Sequence, residues 1–493
     1  MSPRYPVPSL YMSSLGVMVN SIVTAITLIH AEGNLDDWDT YEVYEEELQS
    51  VANYVTSVPS NISQEIMQSV LNSEELDAAI RFCALKLLFH GHVKSLIVGA
   101  FPQEYYMRIL DIVSDHGAEL QILDLKGVWV KGDEAQILQY TLEKLPNLRE
   151  LYIPHIASDG ILATLGRDHD SLLVLDISGA CNISWEGIEM LCCGPSSSVH
   201  PSRLQIVNIG SPGEGDITPS NVASLLKNLP DLKSLGGYSF VGKALLNFVS
   251  EDGNLVRETK LQYLHDTGTN AYTLDAIVKL CPKLESIYLD RPADGVVGRL
   301  HLISKLKHVK LNRFDCAQLD FLFVNCGRTL DTLELLVGKG VVDMSSIARH
   351  CPQLKKLICY KMEFLTHYDQ VMFPSLTKLE VLHSAITTSC VRYLLSSSPQ
   401  IEDLSIGEDI DLTDGDFADI LGKTTLPQLR ELWFRSARDL SRITVEVLMV
   451  MCPNLKSIGI LSGWGLSPDD IQELLYEIQI SNLDLTLWEF SVY

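Results

Sequence analysis

Ten residues, Cys281 to Asp290 (CPKLESIYLD), recur along this chain and limit what it can fold into. Cys351 to Tyr360 reads CPQLKKLICY, and Cys452 to Leu461 reads CPNLKSIGIL. LPNLRELYI from Leu145, FPSLTKLEV from Phe373, SPQIEDLSI from Ser398 and LPQLRELWF from Leu426 keep the pattern without the cysteine. Each copy holds an apolar residue, two variable ones, an apolar one, one variable and another apolar.

The first apolar residue of each copy sets a register. It runs Val93, Leu120, Leu148, Leu172, Leu204, Leu232, Leu261, Leu284, Leu306, Leu330, Leu354, Leu376, Ile401, Leu429, Leu455 and Leu483. Successive anchors lie 22 to 32 residues apart. Leucine-rich repeats have a period of roughly 20–29 residues, and only the 32-residue step exceeds it. That step contains CCGPSSSVHPS from Cys192, which reads as an inserted loop.

In one unit, Leu284, Ile287 and Leu289 point inward from a short strand, and Glu285, Ser286 and Tyr288 point outward. A helix such as Leu274 to Leu280 completes the unit. A single unit cannot bury its apolar side, whereas stacked units share a continuous core. The expected fold is an α/β leucine-rich-repeat solenoid of about 15–16 repeats over residues 91–493. A curved parallel sheet would line its concave face and helices its convex face, behind an N-terminal helical cap. A solenoid grows in one dimension, so about 400 residues can belong to one such body.

The repeats resemble the cysteine-containing leucine-rich repeats of F-box/leucine-rich-repeat proteins and related cullin-ligase substrate receptors. The stretch VPSNISQEIMQSVL is similar to the lead-in of the Zer-one and Zyg-eleven class. In that class a helix ahead of the repeats carries an elongin-binding box of the form SLxxxCxxxΦ. Here Ser14-Leu15 supplies the pair, with Val19 at the cysteine position; Leu48 is a second start, with Ala52 at that position. The resemblance implies protein recognition as substrate receptor or adaptor of an intracellular ubiquitin ligase. It also implies a Skp-type or elongin-type adaptor at the N-terminal helices.

The formal net charge of −25 opposes nucleic acid and anionic lipid. Cys281, Cys351 and Cys452 occupy one repeat position, so buried free thiols fit better than disulfides and suit the cytoplasm or nucleus. Zinc-ligand spacing is lacking around Cys192-Cys193 and Cys351…Cys359, and no metal or cofactor is expected.

From Tyr5 to Ile29 there is no charge. Ser13, Asn20, Thr24 and Thr27 share one helical face, and Leu15, Met18, Ile22, Ile26 and Ile29 another, which reads as an amphipathic cap helix. Residues 1–31 are also compatible with a signal peptide ending near Ala31, or with a membrane span. Glu32 to Glu47 holds eight acids and no base, and residues 32–90 read as an acidic linker and helical cap. Helices are expected over 46–56, over 62–71 with Ser60 or Asn61 as cap, and over 74–89 with Ser73 as cap.

Gly237 to Ala244 satisfies GxxxxGK, but Ala244 stands where Ser or Thr would hold Mg²⁺. The segment also falls in register as a repeat turn. HExxH, GxSxG and the kinase signatures are absent, so no enzyme is expected.

Function is therefore sought at the variable strand positions of the concave face. The candidate partner-binding residues are Tyr152, Tyr263, Tyr288, Lys307, Lys310, Arg313, Lys355, Lys356, Tyr360, Lys361, Trp433 and Arg435. Trp464 is placed on the final turn. The lysines and Arg313 gather positive charge inside an acidic protein, and Tyr, Trp and Arg are enriched in binding hot spots. The expected partner is a protein. An interaction scaffold without a ligase link, and a secreted or surface receptor, are the alternatives.

Overall fold

The computed structural model describes residues 9–32, 51, 53, 58–73, 75–129, 134–179, 183–193, 203–209, 217–251, 258–366, 371–424 and 426–490. Contacts group the described residues into two units, one up to residue 261 and one from residue 262 onward.

All sixteen anchors are buried, from Val93 at 1% exposed to Leu483 at 7%. A strand begins two residues after each of the first fifteen anchors and three after Leu483. Each unit is built as an α/β leucine-rich-repeat solenoid is.

The first unit opens with helix α1 (Leu10–Glu32), which packs on α2 (Ser60–Leu71) and α3 (Ala78–Leu88). Ile22 and Ile26 on α1 are buried, whereas Leu10, Val17 and Leu28 stand out in solvent. The helix is long and apolar enough to cross a membrane. Two expected caps differ. Pro59, not Ser60 or Asn61, occupies the cap of α2 and makes no side-chain bond there. The next helix begins at Ala78, where the Asp77 carboxylate accepts from Ala79 N–H at 2.8 Å, displacing Ser73 from the role. Of the helix expected over 46–56, only Val51 and Asn53 are described; the acidic stretch after Glu32 lies outside the described residues.

The strands of this unit are β1 (Ser95–Ile97), β2 (Ile122–Asp124), β3 (Glu150–Tyr152), β4 (Val174–Asp176), β5 (Ile206–Asn208) and β6 (Ser234–Gly236). They pair in parallel and in sequence order. Helices between them, from Tyr106–His116 to Val241–Glu251, pack each on the next. The GxxxxGK stretch is an ordinary repeat turn here. Lys243 lies over the Phe240 ring at 4.9 Å, and Ala244 is fully buried.

The second unit holds β7 (Tyr263–Thr267), β8 (Ser286–Asp290), β9 (His308–Asn312), β10 (Thr332–Leu336), β11 (Val341–Asp343), β12 (Lys356–Tyr360), β13 (Glu363–Leu365), β14 (Lys378–Leu382), β15 (Asp403–Asp409), β16 (Glu431–Ser436), β17 (Ser457–Gly459) and β18 (Thr486–Trp488). Ten of them form a parallel ladder in sequence order, and β11 pairs with β13 in a small separate sheet.

The Cys-Pro pair explains how each helix stops. Cys281, Cys351 and Cys452 cap their helices, each N–H donating to the carbonyl four residues back at 2.8–2.9 Å. Proline follows and cannot continue the helix. The cysteine carbonyl then accepts from the next anchor's N–H, as Leu284 N–H donates to Cys281 at 3.1 Å. Cys83, Cys192, Cys281, Cys316, Cys326, Cys351, Cys359, Cys390 and Cys452 are buried as small core side chains.

The strands end in another shared device. Arg291, Arg313, Val337, Lys361 and His383, each seven residues after an anchor, take positive φ between 51° and 55°. The N–H of the first four donates to the last residue of the next strand, which extends the ladder one step before the chain turns. That left-handed geometry costs an L-residue roughly 1–2 kcal/mol, and a β-branched residue such as Val337 is unusual there.

Candidate functional site

Period-two alternation buries one side of each strand and presents the other. On β8, Ile287 and Leu289 are buried, while Ser286, Tyr288 and Asp290 are half-buried on the opposite side. The parallel register then aligns outward residues into rows across the second unit.

The row one residue past the anchors mixes both signs, alternating from Glu285 to Lys355. It runs Glu285, Lys307, Asp331, Lys355, Thr377, Glu402, Arg430, Lys456 and Asp484. Lys307 bonds Glu285 at 3.0 Å, Lys355 approaches Asp331 at 4.0 Å, and Arg430 approaches Glu402 at 3.5 Å. Lys456 lies 3.6 Å from Asp484.

The row four residues past the anchors carries the aromatic groups. His265, Tyr288, Lys310, Glu334, Ile358, Glu380, Ser405, Trp433, Gly459 and Trp488 are successive register partners. The His265 and Tyr288 rings stack at 4.1 Å, and the Lys310 ammonium sits 5.0 Å from the Tyr288 ring centre. Burial lowers the His265 pKa, and Lys310 adds to that. Burial raises the Tyr263 phenol.

Glu334 lies between two lysines. Lys310 reaches one carboxylate oxygen at 3.0 Å and Lys356 the other at 3.2 Å. Burial pushes this carboxyl up, but the bonds and charges of both lysines outweigh it and hold it below the usual range. Tyr263, Ser286, Tyr288, His308, Lys310, Thr332 and Glu334 line a recess of about 220 Å³ on this face.

Eleven of the twelve candidate residues therefore fall on the second unit, and the recess gathers Tyr263, Tyr288 and Lys310. Tyr152 lies on β3 of the first unit, where its hydroxyl donates to Glu150 at 2.9 Å and Lys126 covers its ring at 4.4 Å. Burial, then the Glu150 bond, pushes its pKa up to about 12. Arg313 and Lys361 sit on the left-handed exit residues, Lys361 over the Tyr360 ring at 5.4 Å. Arg435 is exposed near the end of β16.

Two expectations change. The lysines are not a free positive patch, because Lys307, Lys310, Lys355 and Lys356 are all ion-paired to acids in neighbouring strands. Trp464 is not on the face. Strand β17 stops at Gly459, Ile460 turns left-handed (φ 64°), and the chain carries Trp464 inward to 5% exposure against Phe434. Its indole N–H donates to the Phe434 carbonyl at 3.2 Å.

Sequence reading missed Trp488 and Gly459. Trp433 lies over Gly459, where an added Cβ would meet ring atoms at 1.7 Å, and its ring centre is 6.2 Å from that of Trp488. The signal for Gly459 was the offset from Leu455 that Trp433 has from Leu429; Trp488 lies five residues after Leu483, one beyond that offset. Among the described residues, no group of three or more His, Cys, Asp or Glu converges as a metal site would.

No protein-family model and no curated protein sequence matches the chain. Among solved structures, an internalin from Listeria monocytogenes str. 4b F2365 aligns over 87% of this chain and 95% of its own, at 16% identity and a TM-score of 0.34. The Rad7 and Elc1 complex in yeast aligns over 78% of this chain and 81% of that one, at 16% identity and a TM-score of 0.36. The TLR13–ssRNA13 complex aligns over 83% and 66%, at 12% identity and a TM-score of 0.36. Similarity this slight says nothing of what the present chain binds; its leucine-rich-repeat fold stands on its own anchors, strand order and register.

Proposed function

We propose that this chain is a protein-recognition module without catalytic activity, and that it grips its partner on the outward face of the β7–β12 strands. The observation that carries this reading is Tyr288. It is held between His265 and Lys310 beside an open recess, so a large ring is fixed in place at a position the core does not need. Rigid aromatic groups flanked by charge are the usual anchors of protein interfaces. The test is affinity capture with the full chain and with a Tyr288→Ala, Lys310→Ala double variant. A helix-side variant, Tyr272→Ala with Val324→Ser, is the control. The expected result is a partner retained by the wild type and the control and lost by the face variant. A partner lost by the control alone overturns the reading.

The role of substrate receptor or adaptor in an intracellular ubiquitin ligase rests on the sequence resemblance at the repeats and at VPSNISQEIMQSVL. Cys83, Cys316, Cys326, Cys351, Cys359, Cys390 and Cys452, buried as free thiols, favour a reducing compartment, cytoplasm or nucleus, over the secreted alternative. In this reading the N-terminal helices dock a Skp-type or elongin-type adaptor. Recovery of such an adaptor with the full chain, and its loss on deleting residues 1–90, is the expected outcome. Recovery of a partner but no adaptor leaves the plain scaffold.

A further inference from the structure

The row two residues past the anchors segregates its charges. Across β12, β14, β15 and β16 it reads Lys356, Lys378, Asp403 and Glu431, each the register partner of the next. Two cations are adjacent and then two anions are adjacent. Like charges directly across a sheet destabilise it, and alternation would remove the cost. The Asp403 carboxyl feels this: burial, then the Glu431 charge, raises its pKa despite Lys378 on its other side.

The anionic end of this row adjoins the indole pair. Glu431 accepts from the Trp433 indole N–H at 3.2 Å, and Trp433 continues through Gly459 to Trp488. Glycine in a strand marks a place where another group approaches the backbone closely. Here that group is the Trp433 ring, which leaves two indoles as one surface beside two carboxylates. Indole faces attract ammonium and guanidinium groups, and neighbouring carboxylates add to the attraction. Arg430 and Lys456, the nearby cations of the first row, are engaged by Glu402 and Asp484; Arg435 lies toward the far end of β16.

We propose that the strip from Lys378 to Trp488 binds a protein segment carrying one basic and one acidic side chain, the lysine or arginine resting on Trp433–Trp488 beside Asp403 and Glu431, and the carboxylate lying over Lys378, next to Lys356, which Glu334 already engages. This rests on the reading that the outward sheet face is the binding face, and it names the partner's chemistry and polarity. The middle of the Trp433–Trp488 pair lies at β17, three strands from Lys378 on β14; at about 4.8 Å per strand the two charges of the partner are roughly 14 Å apart, or about four residues of extended chain, a spacing that turns both side chains to one side.

The test uses the full chain and four synthetic peptides, blocked at both ends and followed by ligand-observed NMR at physiological salt: Arg-Ser-Ser-Ser-Glu, Arg-Ser-Ser-Ser-Arg, Glu-Ser-Ser-Ser-Glu and Gln-Ser-Ser-Ser-Gln. Arg-Ser-Ser-Ser-Glu is expected to bind saturably and at least three-fold more tightly than the others. Trp433→Ala is expected to lose at least ten-fold in affinity and Glu431→Gln about three-fold, with the helix-side Tyr272→Ala unchanged. Gly459→Ala, which drives the ring off its seat, is a second route to the same loss, with circular dichroism checking that each variant folds. No saturable binding to the wild type, equal binding of all charged peptides, or an unaffected Trp433→Ala variant overturns the inference. Those outcomes leave the face reading standing if Tyr288→Ala, Lys310→Ala still loses the captured partner, so the two fail separately.

Discussion

Replacing Glu334 with glutamine removes the carboxylate that Lys310 and Lys356 share. Both lysines are more than a third exposed, at 39% and 38%, while Glu334 is 19% exposed. Each pair is then worth about 0.2–1 kcal/mol, toward the upper end because one partner is shielded. The two lysines are left on strands flanking β10, about 10 Å apart, which adds roughly 0.4 kcal/mol of repulsion in water before salt screening. The expected loss is about 1–2 kcal/mol, falling by around half in 1 M salt, where the Debye length is near 3 Å. Repeat arrays unfold through neighbouring units, so the loss is read locally, by hydrogen exchange of the β9, β10 and β12 amides under mild urea. A double-mutant cycle with Lys310→Met and Lys356→Met isolates each pair. Coupling below about 0.3 kcal/mol for both pairs, or a loss indifferent to salt, refutes the shared-carboxylate account.

Other perturbations test other parts of the structure. Val337→Gly removes a left-handed β-branched residue that is already exposed; relief of roughly 1–2 kcal/mol against a glycine entropy cost near 0.5–1 predicts a small net stabilisation, read from urea midpoints, and destabilisation contradicts it. His169 caps its helix where other repeats place Leu229 or Cys281, and its imidazole is buried. Burial lowers its pKa, so the unfolded chain takes up the proton first, and stability declines as pH falls below about 6.5. His169→Leu is expected to stabilise by about 1 kcal/mol at pH 8 and by more at pH 6, and an unchanged pH profile of melting counts against this. Cys326 and Cys351, with pKa values pushed up to about 11 and about 12 by burial, are expected to react with Ellman's reagent only after denaturation. An equal thiol count with and without reductant goes with this, and rapid labelling of the native chain does not.

The repeat core was legible because burial of Leu284, Ile287 and Leu289 is a property of spacing, and spacing survives in the sequence. Tyr288 was legible for the same reason, since an outward position follows from the anchor by counting. Ion pairing of the lysines was not read, although Glu285, Lys307, Asp331 and Lys355 share one offset from their anchors and so must be neighbours. Pairing is a relation between repeats, and it appears only when the repeats are laid side by side. The left-handed exits at Arg291, Val337 and Lys361 carried no local signal, because the ladder bond of their N–H groups imposes the geometry without a glycine. Trp464 was misplaced because β17 stops at Gly459 and the left-handed turn at Ile460 carries the following chain inward.

The measurement that bears most directly on partner recognition by the sheet face is hydrogen exchange of the full chain, alone and with a captured partner bound. The strands β8, β9, β10 and β12, together with β16 to β18, are expected to gain protection, while the helices Ala271–Leu280 and Leu319–Cys326 stay unchanged. Protection confined to those helices, with the strand amides unaltered, contradicts it.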